Sequence, residues 1–187
     1  ALSHCLEAYC APGFHPLADG VAVEGARLVK QSLVTAVKNG ADIAARGDMM
    51  AAAAMGATAF QKGLGAMHAL SHPVGALYDT HHGLTNAVFM PYVLQFNRTA
   101  IEERIIRLAA YMGMPARFEA FIEYILGLRA EIGIPHTLKE LNVPGDRAAL
   151  VAEMAVVDPT AGGNPLKLDL QGARRLFDMA MTGDMKP

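Results

Sequence analysis

The sequence predicts an all-α domain of about eight helices, and three observations carry that expectation. Apolar residues recur with the 3.6-residue helical period along almost every segment, whereas strands are hard to find. Gly, Pro and Asn stops separate those segments. The 187 residues, 52% apolar and 18% charged, suit one compact domain with a sizeable core rather than a disordered chain.

In chain order, Ala1 to Cys10 reads as a short helix stopped by Ala11-Pro12-Gly13. Pro16 opens a longer helix to about Lys38, with Asn39-Gly40 as its stop and Val21, Ala22, Leu28, Val29 and Leu33 on one apolar face. A third helix spans about Ala41 to Lys62, with a break near Gly47 and Asp48 as N-cap of its second part. Gly63-Leu64-Gly65 separates it from a helix over Ala66 to Tyr78, and Asp79-Thr80 separates that one from His82 to Phe96. Thr99 with Glu102 three residues later has the capping-box pattern, so a further helix starts there and ends at Gly113-Met114-Pro115. Ala116 to Ile132 follows, apolar at Phe118, Phe121, Ile122, Ile125, Leu126 and Leu128, and Gly133-Ile134-Pro135 ends it. A short helix at Thr137 to Leu141, one from Pro144 to Val157 and a last one from Asp169 to Met181 complete the domain, the final two divided by the loop Asp158-Pro-Thr-Ala-Gly-Gly-Asn-Pro165. Neither an internal repeat nor a long linker interrupts the pattern.

Composition excludes several partners. With 16 basic against 18 acidic residues, the chain has no electrostatic footprint for a phosphate backbone, so no nucleic-acid partner is expected. The mean hydropathy is +0.24, yet the longest apolar stretch, Met49 to Phe60, is mostly alanine and falls short of the roughly 20 residues a membrane span needs. No membrane association is expected. The chain opens Ala-Leu-Ser-His without an initiator Met or a basic-then-apolar leader, which reads as a cut N-terminus without a targeting signal. Cys5 and Cys10, the two cysteines, would lie roughly 8–9 Å apart on one helix, beyond disulfide reach. Two free thiols suit a reducing compartment, so a cytoplasmic location is expected.

Four of the seven histidines, His68, His72, His81 and His82, lie within fifteen residues. Four residues apart on a helix, His68 and His72 present their rings on one face, a common way to offer two imidazoles to a metal or a substrate. A partly solvated polar face is the alternative, and the pair alone leaves both open. Pro73, Gly75 and Gly83 sit where the chain bends or packs backbone on backbone, so His82 can return toward His68. His4 is a further candidate from the first helix. For His15, His81 and His136 a surface or hydrogen-bonded role is expected. HExxH, Glu-x-x-His, His-Asp, GxSxG and Walker A patterns are all absent, and Gly63-Leu-Gly-Ala-Met-His68 lacks the third glycine and preceding strand of a dinucleotide fingerprint.

The segment Gly65-Ala-Met-His-Ala-Leu-Ser-His-Pro-Val-Gly-Ala-Leu-Tyr-Asp-Thr-His-His-Gly-Leu-Thr-Asn-Ala87 closely resembles the signature of the iron-containing (group III) alcohol dehydrogenases. The opening Ala-Leu-Ser-His-Cys-Leu-Glu-Ala-Tyr9 resembles that family's other signature, Asp-Ala-x-x-His-x-x-Glu-Ala-Tyr, and the Asp158 loop agrees with the family too. The resemblance extends over essentially the whole chain. It implies the all-helical metal-binding domain of the dehydroquinate synthase-like/iron alcohol dehydrogenase fold over residues 1–187, with an N-terminal α/β domain that binds NAD or NADP lying outside this chain. It also implies metal ligands His4, His68 and His82; the family's fourth ligand, an Asp four residues before the first His, would fall immediately before Ala1. His72 resembles the family's non-ligand active-site histidine, a proton relay or nicotinamide contact. Fe(II) is the implied metal, with Zn(II) as the other option, because nitrogen and oxygen ligands serve both. Such a site suits Lewis-acid activation of a small alcohol, or of an aldehyde or ketone in reverse, with hydride exchanged with the nicotinamide. The implied partners are that substrate, the N-terminal nucleotide-binding domain and further copies in a homo-oligomer. A hydroxyacid-oxoacid transhydrogenase or maleylacetate reductase relative stays open, as does a non-catalytic helical metal-binding module. Phe89, Tyr92 and the Gly162-Gly163-Asn164 loop are candidate pocket walls.

Overall fold

The stops written into the chain fall close to where its helices end. A computed structural model describes residues 1–185, so the last two residues of the expected domain lie outside the described residues. Nine α-helices and three short 3-10 turns make up the regular structure of the described residues, and no strand occurs among them. The helices are α1 (Leu2–Cys10), α2 (Pro16–Lys38), α3 (Ile43–Ala59), α4 (Ala66–Tyr78), α5 (His82–Phe96), α6 (Arg98–Tyr111), α7 (Phe118–Glu131), α8 (Ala148–Val157) and α9 (Leu170–Thr182). The 3-10 turns are Phe60–Lys62, Lys139–Leu141 and Ala161–Gly163. None of the described helices is long and apolar enough to cross a membrane.

Local physics corrects four boundary expectations. α3 runs unbroken through Gly47, because Asp42 already caps it by accepting from the Ala45 amide at 2.9 Å. Asp48 is therefore an interior residue, and its carboxylate takes the Ser32 hydroxyl and the Gln31 amide of α2 instead. Thr99 caps nothing: α5 and α6 meet at Asn97, which keeps a right-handed helical conformation, so no free helix start is left for it. Glu102 pairs with Arg98 one turn back. The stretch expected as a short helix from Thr137 is only the 3-10 turn Lys139–Leu141, closed by Asn142 in the left-handed region (φ 61°). α8 starts at Ala148 rather than near Pro144, since Gly145 adopts φ +80° and cannot continue a right-handed helix. Pro73 and Pro91 lie within α4 and α5 without ending them.

α1 is the hub of the domain. Leu6 and Ala8 are fully buried and Cys5 nearly so, with α2 and α3 packed on one side and α5 and α6 on others. Small residues allow the approach: a Cβ on Gly25 of α2 would stand 2.7 Å from Cys5 Sγ, and one on Gly56 of α3 would stand 2.9 Å from His4 Cβ. The pairs α4 with α5 and α8 with α9 pack on each other, and α4 also packs on α8. Leu70, Phe89, Tyr92, Phe118, Phe121 and Phe177 fill the interior, each worth roughly 1.5–3 kcal/mol for full burial. α5 packs on both α1 and α4, and those three helices carry the clustered histidines.

Candidate metal centre

The structure brings His4, His68, His72 and His82 into one cluster. α1 supplies His4, α4 supplies His68 and His72, and α5 supplies His82 at its first residue. The His4 ring stacks on His68 with centroids 4.9 Å apart and planes at 15°, and His82 lies 5.3 Å from His68. His72 stacks in turn on His82 at 5.4 Å and 15°. His81, by contrast, caps α5 by accepting from the Leu84 amide, His15 caps α2 by accepting from the Ala18 amide, and His136 sits beside Tyr92.

Hydrogen bonds set the direction in which the two central rings face. Glu7, one turn beyond His4 on α1 and only 5% exposed, accepts from the Met67 amide through Oε1 and from His68 Nδ1 through Oε2, both at 2.6 Å. A carboxylate there keeps the proton of His68 on Nδ1 and leaves the lone pair on Nε2. That lone pair accepts from Asn86 Nδ2 at 3.3 Å, and His82 Nε2 accepts from the same atom at 3.0 Å. The other nitrogen of His82, Nδ1, donates to Ser71 Oγ at 3.4 Å, and Ser71 passes its proton bond on to the His68 carbonyl. Two imidazole lone pairs therefore converge on one point. Asn86 is 2% exposed, and its Oδ1 is buried without a hydrogen-bond partner, an uncompensated polar atom at the centre of the cluster.

The electrostatics favour the neutral form of His4 and His82. Burial, reinforced by His68 and His82, pushes His4 down to about 4, and burial with the neighbouring imidazoles also lowers His82. Neutral imidazole is the form that binds a metal. In donor chemistry the trio His4, His68 and His82 thus fits a divalent ion, with a carboxylate behind His68 in the arrangement common for metal-bound histidines. As the side chains stand, no three His, Cys, Asp or Glu groups among the described residues are closed up tightly enough to hold an ion by themselves. Asn86 bridges His68 and His82, and His4 joins them by stacking.

His72 lies at the edge of the cluster, with its side chain 42% exposed. Its Nδ1 meets Asp158 Oδ2 at 2.8 Å, a partner 86 residues away that the sequence reading missed. The other Asp158 oxygen accepts from the Thr160 amide at 2.8 Å and from its hydroxyl. Burial alone would raise the Asp158 carboxyl, yet the hydrogen bonds from Thr160 and His72 outweigh it and hold the group below its ordinary value.

Glu7, Asn86 and Asp158 all stand inside the segments that carried the family resemblance. For Glu7 and Asn86 the signal was the helical offset: Glu7 follows His4 by three residues and Asn86 follows His82 by four, so each shares the histidine's face, whereas no local spacing ties Asp158 to His72. Two candidate walls are corrected: Phe89 and Tyr92 are fully buried core residues, and the Tyr92 hydroxyl donates to the His136 carbonyl. Phe60, 37% exposed, is the aromatic that meets the cluster, edge-on to His4 at 5.1 Å. An apolar cavity of about 200 Å³ lies beyond the opposite faces of α1 and α5, lined by Ser3, Gly83, Ala87 and Arg129 among others but by none of the four histidines.

Comparison with known proteins places the chain in a family and a fold. Residues 1–181 match the model of the Fe-containing alcohol dehydrogenase family, C-terminal. The 4-hydroxybutyrate dehydrogenase of Cupriavidus necator is 36% identical over 97% of this chain and 50% of its own length. The 1,3-propanediol dehydrogenase of Citrobacter freundii is 36% identical over 96% of this chain and 49% of its own. Among solved structures, the crystal structure of a 1,3-propanediol oxidoreductase superposes with a TM-score of 0.91 at 34% identity, covering 96% of this chain and 49% of that one. The chain spans about half the length of the curated relatives it matches.

Proposed function

The chain belongs to the Fe-containing alcohol dehydrogenase family, and on that footing we propose that it is the metal-holding catalytic domain of an NAD(P)-linked dehydrogenase of small alcohols. The observation that carries the reading is the convergence of His68 Nε2 and His82 Nε2 on one point, with His4 stacked beside them. His4, His68 and His82 are the residues of this chain that would hold Fe(II) or Zn(II). Bound there, the ion supplies Lewis acidity toward an alcohol or carbonyl oxygen.

The chain's own residues do the rest. Glu7 fixes the His68 tautomer, so the Nε2 lone pair stays directed at the shared point. Ser71 does the same for His82 through Nδ1. Asn86 spans the two Nε2 atoms and would have to turn its amide away for an ion to enter; its unpaired Oδ1 means that the present orientation is not a fully satisfied one. His72, stacked on His82 yet outside the converging pair, serves as the proton relay or nicotinamide contact. Phe60 keeps an apolar edge against His4, on the side where the cluster is partly exposed.

The test is an assay of the full-length protein against short alcohols, diols, ω-hydroxyacids and the matching aldehydes with NAD and NADP, after chelation and reconstitution with Fe(II) or Zn(II). Activity that disappears with the chelator and returns with one of the two metals is the expected outcome. Metal uptake without turnover of any member of the panel would leave a non-catalytic metal-binding module.

A further inference from the structure

His72 stands at the edge of the histidine cluster, where burial does little to hold it. His68 is held by burial, with a side chain only 2% exposed, whereas that of His72 is 42% exposed. A half-solvated imidazole on a helix surface is free to change rotamer and tautomer, and either change would remove whichever nitrogen the reaction needs. The structure supplies an anchor for it from the far end of the chain. Asp158 follows directly on α8, and two bonds from Thr160 to Oδ1 leave Oδ2 for His72 Nδ1. The loop behind Asp158 is itself tied down. Asn164 accepts from the Ala66 amide at the start of α4 and exchanges two hydrogen bonds with Asn97. Gly163 lies so close against the Leu64 carbonyl that no Cβ would fit between them. A loop held by those contacts does not depend on the Asp158–His72 hydrogen bond for its place.

We propose that Asp158 is the positioning residue of His72: from the turn after α8 it fixes the imidazole rotamer and keeps the ring proton on Nδ1, so that Nε2 faces the reaction as an acceptor. The inference rests on the dehydrogenase reading only for the reaction that Nε2 serves. The Asp158–His72 dyad stands on the hydrogen-bond geometry.

Two measurements on the full-length protein test it. The first is NMR of ¹⁵N-histidine-labelled protein, in which His72 is expected as the Nδ1–H tautomer and Asp158→Asn is expected to shift it toward Nε2–H. The second is a double-mutant cycle under the assay conditions above. Asp158→Asn is expected to lower kcat by about 10–100-fold with KM and metal content nearly unchanged, and Asp158→Glu to recover part of the loss. In a His72→Ala background the same Asp158→Asn change is expected to cost less than about 2-fold, because a residue acting only through His72 has nothing left to act on. An undiminished cost of Asp158→Asn in that background, or a wild-type His72 protonated on Nε2, would overturn the proposal. A wild-type protein inert toward every alcohol would overturn the dehydrogenase reading instead, and the tautomer measurement would then decide the dyad alone.

Discussion

Glu7 meets two obligate donors at once, the Met67 amide and His68 Nδ1–H, and a carboxylate can accept from both. Glu7→Gln keeps the shape but turns one acceptor into an NH₂ that faces a donor. The expected result is a loss of about 1–3 kcal/mol in denaturant unfolding and, in the full-length protein, a metal affinity weaker by roughly 10–100-fold. The roles proposed for His72 and His82 are separable by experiment. His72→Ala should leave metal content near normal while lowering turnover on the order of 10²-fold, and His82→Ala should remove metal and activity together; equal metal loss in both variants would make His72 a ligand. Burial sets the behaviour of the thiols, raising Cys5 to about 11 and Cys10 to about 12. At pH 8 neither should react with a disulfide reagent until the protein unfolds, and rapid labelling of the native state would contradict their burial. The sign for stability follows: the unfolded thiols ionise near their ordinary value of 9 while the folded ones do not, so this contribution is intact below pH 9 and declines as pH rises toward 11–12.

At the scale of helices, α3 offers a comparison within one element. Gly47 is exposed with nothing within 4 Å of an added Cβ, whereas a Cβ on Gly56 would lie 2.9 Å from His4 Cβ and 3.1 Å from the Ala1 carbonyl. Gly47→Ala should therefore stabilise by about 0.5–1 kcal/mol through helix propensity alone. Gly56→Ala gains the same propensity but forces α1 and α3 apart, an overpacking cost of about 1–3 kcal/mol, so its midpoint in urea should fall. The displacement acts on His4 itself, and metal affinity should fall with stability. Pattern reading placed the helix and its glycines but split it at Gly47, because a glycine flanked by Asp48 has the local chemistry of a new start. Asp42, six residues upstream, had already satisfied the free amides, and helix continuity prevailed.

At the scale of the whole molecule, the buried Asn97–Asn164 exchange joins the α5–α6 junction to the loop between α8 and α9, and Asn164 also holds the start of α4. Asn164→Ala strands the Ala66 amide and both ends of the Asn97 side chain, an expected loss on the order of 3 kcal/mol in chemical unfolding. A change within about 0.5 kcal/mol would show that water replaces those bonds. The sequence by itself determined the helical architecture, because 3.6-residue periodicity, glycine stops and proline starts are local and survive without knowledge of the fold. It also determined the family and the histidines, since His68 with His72 and His82 with Asn86 are short-range spacings that one helix turn converts into a shared face. Only the tertiary structure decided which groups meet them: Glu7 reaches His68 across 61 residues and Asp158 reaches His72 across 86. The physical reason is that periodicity specifies which face of a helix is buried, while the carboxylate awaiting a given imidazole there is chosen by the close packing of α1, α4 and α8 around one core.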